Sequence, residues 1–355
     1  MTNRDIVRMR LRAQGIVGNA FRSPADVVRT LGAVQAQDYL GALWAVGLRV
    51  PGSTEPDVER ALAGRTILRT WPMRGTLHVV AAEDARWMLE LLTPRVIARA
   101  AGRYRQLGLD DAVFTRCRKA IERALRGGRQ LSRAKVYDVF NAAGVPTDES
   151  RGLHILGWLA QKGVVCFGAR ELKQQTIVLL EEWAPGAKRL GKEEALAEHA
   201  ARYFTGHGPA SLRDFVWWTG LSVTEARAAL AAAAPGLERD VVGEETYWFA
   251  PSGAATEDAP ARVHLLPVYD EFAVAYRDRS AILDPEHVSL ARNGIFGSIV
   301  IADGRIVGTW KRALAKGAVG VSTSLFAPLP AARARDLAAA TARYAAFLGL
   351  PPAIQ

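Results

Sequence analysis

The residues with the clearest capacity for chemistry are two glutamines that flank one small residue and precede a carboxylate, Gln35-Ala36-Gln37-Asp38. They follow a helix-like segment within a mostly apolar run, Leu31-Gly32-Ala33-Val34. An amide side chain is costly to bury unless a hydrogen bond satisfies it, so such a pair needs partners. Two alternatives are open. The amides serve a site as fixed dipoles, or they tie a loop to neighbouring backbone, as most buried polar side chains do.

A second concentration of charge and aromatic residues spans 267–280, directly after a predicted strand. Its acids Asp270 and Glu271 and its bases Arg277 and Arg279 could orient one another or bind a phosphate. The alternative is an ion-paired loop that ties a β-rich unit to its neighbours.

Aromatic and cationic residues also meet at Trp71-Pro72-Met73-Arg74, which is predicted to be a hairpin tip. Such a tip suits insertion into a minor groove, and the alternative is a packed turn. His207 precedes a predicted helix start, where a capping loop is the simpler interpretation. A helical stretch carries further arginines, of which most fit a solvated face and some fit phosphate contacts: Arg99, Arg103, Arg105, Arg116, Arg118 and Arg123.

Several classes of site are disfavoured by the motifs that the sequence lacks. No phosphate-binding or dinucleotide-binding glycine motif follows a strand, and no G-x-S-x-G elbow is present. Cys117 and Cys166 are far apart, without a CxxC or HExxH pattern, so we expect two unpaired thiols, no metal site and no cofactor.

The charge balance indicates an anionic polymer as partner. The 355 residues carry a net charge of +10, with arginine dominating the cations, and arginine binds phosphate through two parallel hydrogen bonds. The alternative is a GC-rich genome, which favours arginine and alanine codons. The apolar runs are too short for a membrane span and the N-terminus lacks a signal core, so we expect a cytoplasmic, nucleoid-associated protein.

The order helix, helix, two-stranded ribbon occurs three times along the chain and predicts an α+β fold with three tandem winged helix-turn-helix units. A strand-rich end with an Asp303-Gly304 turn and a helix at 330–348 predicts a small β-barrel. The expected domains are 1–84 (first winged helix, with both glutamines), 85–185 (helical bridge and second winged helix), 186–251 (third winged helix) and 252–355 (barrel and helix).

Five separated motifs resemble the AlkZ-like branch of bacterial DNA glycosylases, in the HTH_42 superfamily, and the resemblance spans essentially the whole chain. They read VQAQDYLGALWAVGLR, RTWPMRGTLHVV, GHGPASLRDFVWWTGL, LLPVYDEFAVAYRDRS and DGRIVGTWKR. The resemblance implies a C-shaped protein whose basic channel holds double-stranded DNA. It also implies excision of bulky N7-alkylated purines and interstrand crosslinks, as in self-resistance to genotoxic natural products. The branch motif is glutamine, any small or apolar residue, glutamine, which Gln35-Ala36-Gln37 matches.

In this interpretation Gln37 holds a water molecule, Gln35 orients it and faces the sugar, and Asp38 is a candidate for electrostatic support. No lysine lies near the motif in sequence, so we expect a monofunctional glycosylase without a Schiff-base step. We expect no obligate protein partner and no membrane partner. The residues predicted to contact DNA are Trp71, Met73, Arg74, Arg277, Arg279, Lys311 and Arg312.

Two rival functions are open at this point. A non-catalytic winged-helix regulator would bind particular sequences and ignore alkylated bases, with Gln35 and Gln37 purely structural. A resistance protein that sequesters the toxin would bind the free compound tightly without DNA.

Overall fold

The computed structural model describes residues 1–18, 21–251, 263–288, 297–315 and 317–352. The chain forms two compact units with a mixed α/β composition and antiparallel sheets. Unit 1 comprises Met1–Val58 and Leu196–Gln355, and unit 2 comprises Glu59–Ala195. The predicted boundary between the last two domains, 251/252, falls in a Pro/Gly/Ala-rich stretch, 251–261, of which only Pro251 is among the described residues.

The N-terminal part of the chain is helical, and side-chain caps stand at the starts of its first two helices. Thr2 and Asp5 form a reciprocal capping box at the first helix, and Ser23 caps the second, with Pro24 at its first position. The elements are α1 (Asn3–Ala13), α2 (Pro24–Leu31), β1 (Val34–Gln35), α3 (Tyr39–Gly47) and α4 (Glu55–Ala63).

Unit 2 combines helices with two hairpins that share one sheet. Within the unit the strand order is β3-β2-β4-β5, and the hairpins join where Arg69 pairs with Phe167. Phe114 stacks on Trp158 with ring centroids 4.3 Å apart in the core. The elements are β2 (Ile67–Met73), β3 (Thr76–Ala81), α5 (Ala85–Gln106), α6 (Asp111–Leu125), α7 (Arg133–Ala142), α8 (Arg151–Gln161), β4 (Val165–Glu171), β5 (Gln174–Leu179) and α9 (Leu180–Trp183).

The first hairpin of unit 2 corrects one prediction. Strand β2 continues through Trp71 to Met73, and only Arg74 and Gly75 form the tip, both with positive φ. A register shift between Thr70 and Met73 accommodates the proline between them, which has no N–H to donate. The predicted turn at Trp71-Pro72-Met73 is therefore wrong.

The rest of unit 1 begins with helices that flank a small three-stranded sheet of order β6-β8-β7. Ser211 and Ser222 each form a capping box at a helix start, as their positions predict. The elements are α10 (Lys192–His207), β6 (Ala210–Ser211), α11 (Leu212–Thr219), α12 (Val223–Ala233), β7 (Glu238–Val242), β8 (Glu245–Phe249), β9 (Val263–Leu266), α13 (Glu271–Val274), β10 (Ile299–Ala302), β11 (Arg305–Ala315), β12 (Ala318–Leu325) and α14 (Ala331–Leu348).

The C-terminal strands form an open antiparallel sheet of order β12-β11-β10-β9, and among the described residues they do not close into the predicted barrel. Four strands are too few to close, since even a small barrel of the OB type uses about five. Helix α14 packs against β9 and β12 instead, with Tyr344 edge-on to both Trp44 and Trp310. The predicted two-residue turn at Asp303-Gly304 is confirmed by φ values of 53° and 78°.

Two further predictions concern the thiols and the membrane. Cys117 and Cys166 are both free and buried, as expected. Burial raises the pKa of the Cys117 thiol to about 11 and raises the pKa of Cys166 further. None of the helices in the described parts of the chain has the length and apolar character needed to cross a bilayer.

A buried ion pair between Arg49 and Asp270 joins the two sequence segments of unit 1. Both side chains are fully buried, and their atoms approach to 2.8 and 2.9 Å in a bidentate geometry. The guanidinium also donates to the backbone carbonyls of Gln14 and Ala45 and to the Gln14 side chain, so all five of its N–H groups are used. The interpretation of 267–280 as an ion-paired tie is supported at Asp270, which pairs with Arg49 and not with Arg277 or Arg279. Phosphate binding by those two arginines stays a prediction.

We predict that Arg49→Met destabilises unit 1 by about 3–5 kcal/mol, because it leaves a buried carboxylate without its cation. Urea unfolding followed by circular dichroism measures this change. The control is Arg118→Met, which breaks the exposed Arg118–Glu122 pair and should cost no more than about 0.5 kcal/mol. Equal losses in the two variants would contradict the central role of the Arg49–Asp270 pair.

Candidate active site

The two glutamines lie on a short extended segment that leaves helix α2. Gly32 ends the helix with φ of 72°, a conformation that glycine adopts without steric cost. Val34 and Ala36 are fully buried, whereas Gln35 is half-buried and Gln37 is exposed. This alternation is that of an extended segment, which directs every second side chain to the same side. Neither amide is therefore sealed in the interior.

Three elements of unit 1 pack behind this segment. A Cβ atom at Gly32 would lie 3.5 Å from the Trp218 ring of α11. Gly206 of α10 approaches the end of α2 so closely that a Cβ there would lie 2.4 Å from the Thr30 carbonyl oxygen. The short helix α13 contributes the third contact, through Glu271. The backbone that carries the glutamines is thus supported by packed structure.

Asp38 begins the next helix. Its Oδ1 accepts the backbone N–H of Gly41 at 2.6 Å, which makes it the N-cap of α3. A capping carboxylate satisfies one of the open N–H groups of the first helical turn and interacts favourably with the positive end of the helix. The structure thus assigns Asp38 a capping role, and its electrostatic role in catalysis stays a prediction.

Glu271 is the contact that the sequence did not reveal. This fully buried carboxylate accepts the backbone N–H of Gln35 on Oε1 at 2.8 Å and the indole N–H of Trp218 on Oε2 at 2.8 Å. The Nε2 atom of His207 lies 3.6 Å from Oε2. Gln35 and Glu271 are separated by 236 positions, so no local pattern could have paired them.

The predicted DNA contacts in unit 2 differ in exposure. Trp71 and Met73 are buried, and Trp71 packs on Phe167 with ring centroids 5.1 Å apart. Arg74 occupies the hairpin tip, half-buried, with one guanidinium nitrogen 3.4 Å from Nε2 of His78. A DNA contact by Trp71 or Met73 stays a prediction that their burial does not favour.

The predicted DNA contacts in unit 1 fall into two groups. Arg277 is exposed, but the Arg279 guanidinium donates to the Ala273 carbonyl and lies over the Trp217 ring, and burial lowers its pKa. Lys311 and Arg312 are both exposed on the long β11–β12 hairpin, where Arg312 also donates to the Tyr344 hydroxyl.

The positive charge of the chain is concentrated in unit 2. That unit holds 24 lysine and arginine residues against 15 aspartate and glutamate residues, a net charge of +9. The remaining residues, those of unit 1, carry only +1 of the total of +10. Within the described ranges, no three His, Cys, Asp or Glu side chains are grouped so that they could hold a metal ion.

Comparisons with known proteins agree with one another. The family model described as DNA glycosylase AlkZ-like matches residues 28–347. An interstrand DNA cross-link repair glycosylase from Streptomyces sahachiroi is 26% identical over 337 residues, which cover 87% of each protein. The solved structure of the Streptomyces sahachiroi DNA glycosylase AlkZ has the same fold, with a TM-score of 0.81 over 100% of both chains at 24% identity.

We predict that Asp38→Ala lowers the free energy of unfolding by about 1 kcal/mol, because the first turn of α3 loses its cap. Asp38→Ser, whose hydroxyl can accept the same N–H, should stay within about 0.5 kcal/mol of the wild type. Chemical denaturation of the two variants side by side gives both values. A serine variant as unstable as the alanine variant would show that Asp38 stabilises the fold by another contact.

Proposed function

This chain belongs to the DNA glycosylase AlkZ-like family and is an enzyme acting on the N-glycosyl bonds of DNA, and we propose that its substrates are bulky N7-alkylated purines. We propose further that it repairs interstrand crosslinks, because its Streptomyces sahachiroi relative is an interstrand DNA cross-link repair glycosylase. The natural setting would be repair of damage from genotoxic natural products, including self-resistance of a producing organism.

The chemistry of an N7-alkylated purine suits the amide side chains of Gln35 and Gln37. Alkylation at N7 places a positive charge on the purine, so the base leaves without protonation by a strong general acid. The enzyme must then hold a water molecule and stabilise an oxocarbenium-like sugar. Preorganised dipoles stabilise developing charge effectively, because they need little reorientation during the reaction.

The observation that carries the proposal is the placement of the two carboxamides. Gln35 and Gln37 reach the surface from a segment whose alternate residues, Val34 and Ala36, are fully buried. Rigid backbone and accessible side chains are what a site for an ordered water requires. In our proposal the Gln37 amide holds this water, and Gln35 orients it toward the sugar.

Binding of duplex DNA is supported by the distribution of charge. A net charge of +9 on unit 2 favours a polyanion, since each phosphate neutralised releases counterions. Lys311 and Arg312 are exposed cations on the long β11–β12 hairpin of unit 1 and are the contacts we favour there. Three winged helices and a C-shaped arrangement with a basic channel, both implied by the family resemblance, stay predictions.

The test uses duplex DNA with one bulky N7-alkylguanine or one interstrand crosslink, followed by alkali to cleave abasic sites. We expect base release by the wild-type protein and a loss of roughly 100-fold or more in rate for Gln37→Ala, the cost typical of removing one preorganised group. DNA affinity should stay unchanged. The matched control is Gln106→Ala, at an exposed glutamine at the end of α5, which should retain the wild-type rate.

Different results would overturn the proposed activity and the proposed role of Gln37. No base release at any enzyme concentration, together with sequence-selective DNA binding, would favour a regulator over an enzyme for these lesions. Normal release by Gln37→Ala would remove that residue from the mechanism while leaving the glycosylase activity in place.

We predict that the double variant Lys311→Ala/Arg312→Ala weakens duplex binding and flattens its salt dependence. Each lost phosphate contact should reduce the slope of log K against log salt concentration by about 0.9. Fluorescence anisotropy at several salt concentrations measures both quantities. Arg335→Ala, at an exposed arginine of α14, is the control, and a slope change as large in this variant would argue against a specific role for the β11–β12 hairpin.

A further inference from the structure

A buried glutamate lies directly behind the motif that carries the two glutamines. Glu271 is fully buried. Its two carboxylate oxygens accept hydrogen bonds from donors on two different elements. Oε1 accepts the backbone N–H of Gln35, and Oε2 accepts the indole N–H of Trp218, both at 2.8 Å. Glu271 thus connects the glutamine motif to helix α11, which is far from the motif in sequence.

The neighbouring acid, Asp270, has a different set of partners from Glu271. Asp270 is buried to the same degree, but its oxygens bind the guanidinium of Arg49. That guanidinium has used all five of its donors, so it has none left for Glu271. The partners of Glu271 include instead a backbone amide, an indole and the nearby His207 ring.

The surroundings hold the Oε2 side of this carboxylate in one place. His207 stacks on Tyr203 with ring centroids 4.9 Å apart and contacts the Trp218 ring at 5.1 Å. All three residues are fully buried. Because side chains in such a core occupy single rotamers, the position of Oε2 is set by rigid neighbours and the position of Oε1 follows.

We propose that Glu271 is a positioning residue for Gln35, which it orients through the backbone of β1. This inference rests on the proposed catalytic role of Gln35 and Gln37. Hydrogen bonds to a carboxylate are shorter and stronger than neutral ones, and this one fixes the peptide plane from which the Gln35 side chain leaves. Strand β1 is only two residues long and follows Gly32, which has a positive φ, so the bond from Glu271 acts directly on the short backbone segment that carries Gln35.

The expected effect is on the rate of the chemical step. A displacement of about 1 Å in a catalytic group can cost about 100-fold in rate, whereas duplex affinity depends on phosphate contacts elsewhere. The contact therefore predicts a change in the rate at saturation without a change in the dissociation constant of the DNA.

The main test is Glu271→Gln, assayed in single-turnover excision with enzyme in saturating excess. The new amide can satisfy either Gln35 or Trp218 with its oxygen but presents N–H groups to the other, which is also a donor. We expect a rate loss of at least about 10-fold and a dissociation constant for the lesion duplex within about twofold of the wild type. An unchanged rate in the folded variant would overturn the proposal.

A double-mutant cycle separates positioning from general damage to the fold. If Glu271 acts through Gln35, then Glu271→Gln made in a Gln35→Ala background should cost less than about twofold in rate. If the two losses multiply, Glu271 acts independently of Gln35 and the proposal is wrong.

The matched control is Asp214→Asn. Asp214 is another buried carboxylate of unit 1, and it accepts the backbone N–H groups of Ser211, Arg277 and Asp278. Its substitution should lower the melting temperature while leaving the saturated rate within about twofold, because its amide partners are not those of the motif. A loss of rate equal to that of Glu271→Gln would assign both effects to the fold.

A second variant keeps the proposal testable if Glu271→Gln does not fold. Trp218→Phe removes the indole donor from Oε2 together with part of the ring that packs under Gly32, and we expect a loss of at least about threefold in rate that disappears in the Gln35→Ala background. An unchanged rate would overturn the proposal. If Gln35→Ala and Gln37→Ala both excise normally, the proposed site fails; if only Glu271 and Trp218 prove dispensable, the present inference fails alone.

Discussion

Two adjacent buried acids, Asp270 and Glu271, place the strongest physical constraint on unit 1. A buried carboxylate is tolerated only when charges or hydrogen-bond donors surround it. Asp270 meets this requirement with Arg49, and Glu271 meets it with the motif backbone and Trp218. The chain segments before Val58 and after Leu196 are thereby joined by contacts that cannot be broken one at a time without a large cost. The motif that carries the two carboxamides lies on that junction.

The proposed chemistry explains why the motif contains amides and lacks a strong acid. A purine alkylated at N7 is already a good leaving group, so the protein has to supply order around the sugar more than proton transfer. Neutral dipoles on a rigid support provide such order. The half-buried Gln35 and the exposed Gln37 are compatible with a large adduct that does not enter a tight pocket.

The two units also differ in electrostatic character. Unit 2 holds nearly all of the net positive charge, with +9, while the acidic and basic residues of unit 1 nearly balance and leave that unit at +1. Diffuse positive charge attracts a duplex and tolerates many sequences, because phosphates carry no sequence information. Within unit 1 the charged side chains are used in part for internal structure, as the contacts of Arg10, Arg49 and Asp214 show.

Local signals in the sequence determined much of the secondary structure, because caps and turns depend on neighbouring residues. Thr2, Ser23, Ser132, Ser211 and Ser222 each cap a helix by accepting a backbone N–H of its first turn. The glutamine motif and the family resemblance likewise follow from the sequence alone. Helix α3 was not predicted, because residues 42–47 are all buried and their apolar residues show no helical periodicity. Only the tertiary structure decided the partners of the buried charges. Contacts such as Gln35–Glu271 and Arg49–Asp270 join residues more than 200 positions apart, and the periodicity of a sequence predicts contacts only between residues that are close along the chain.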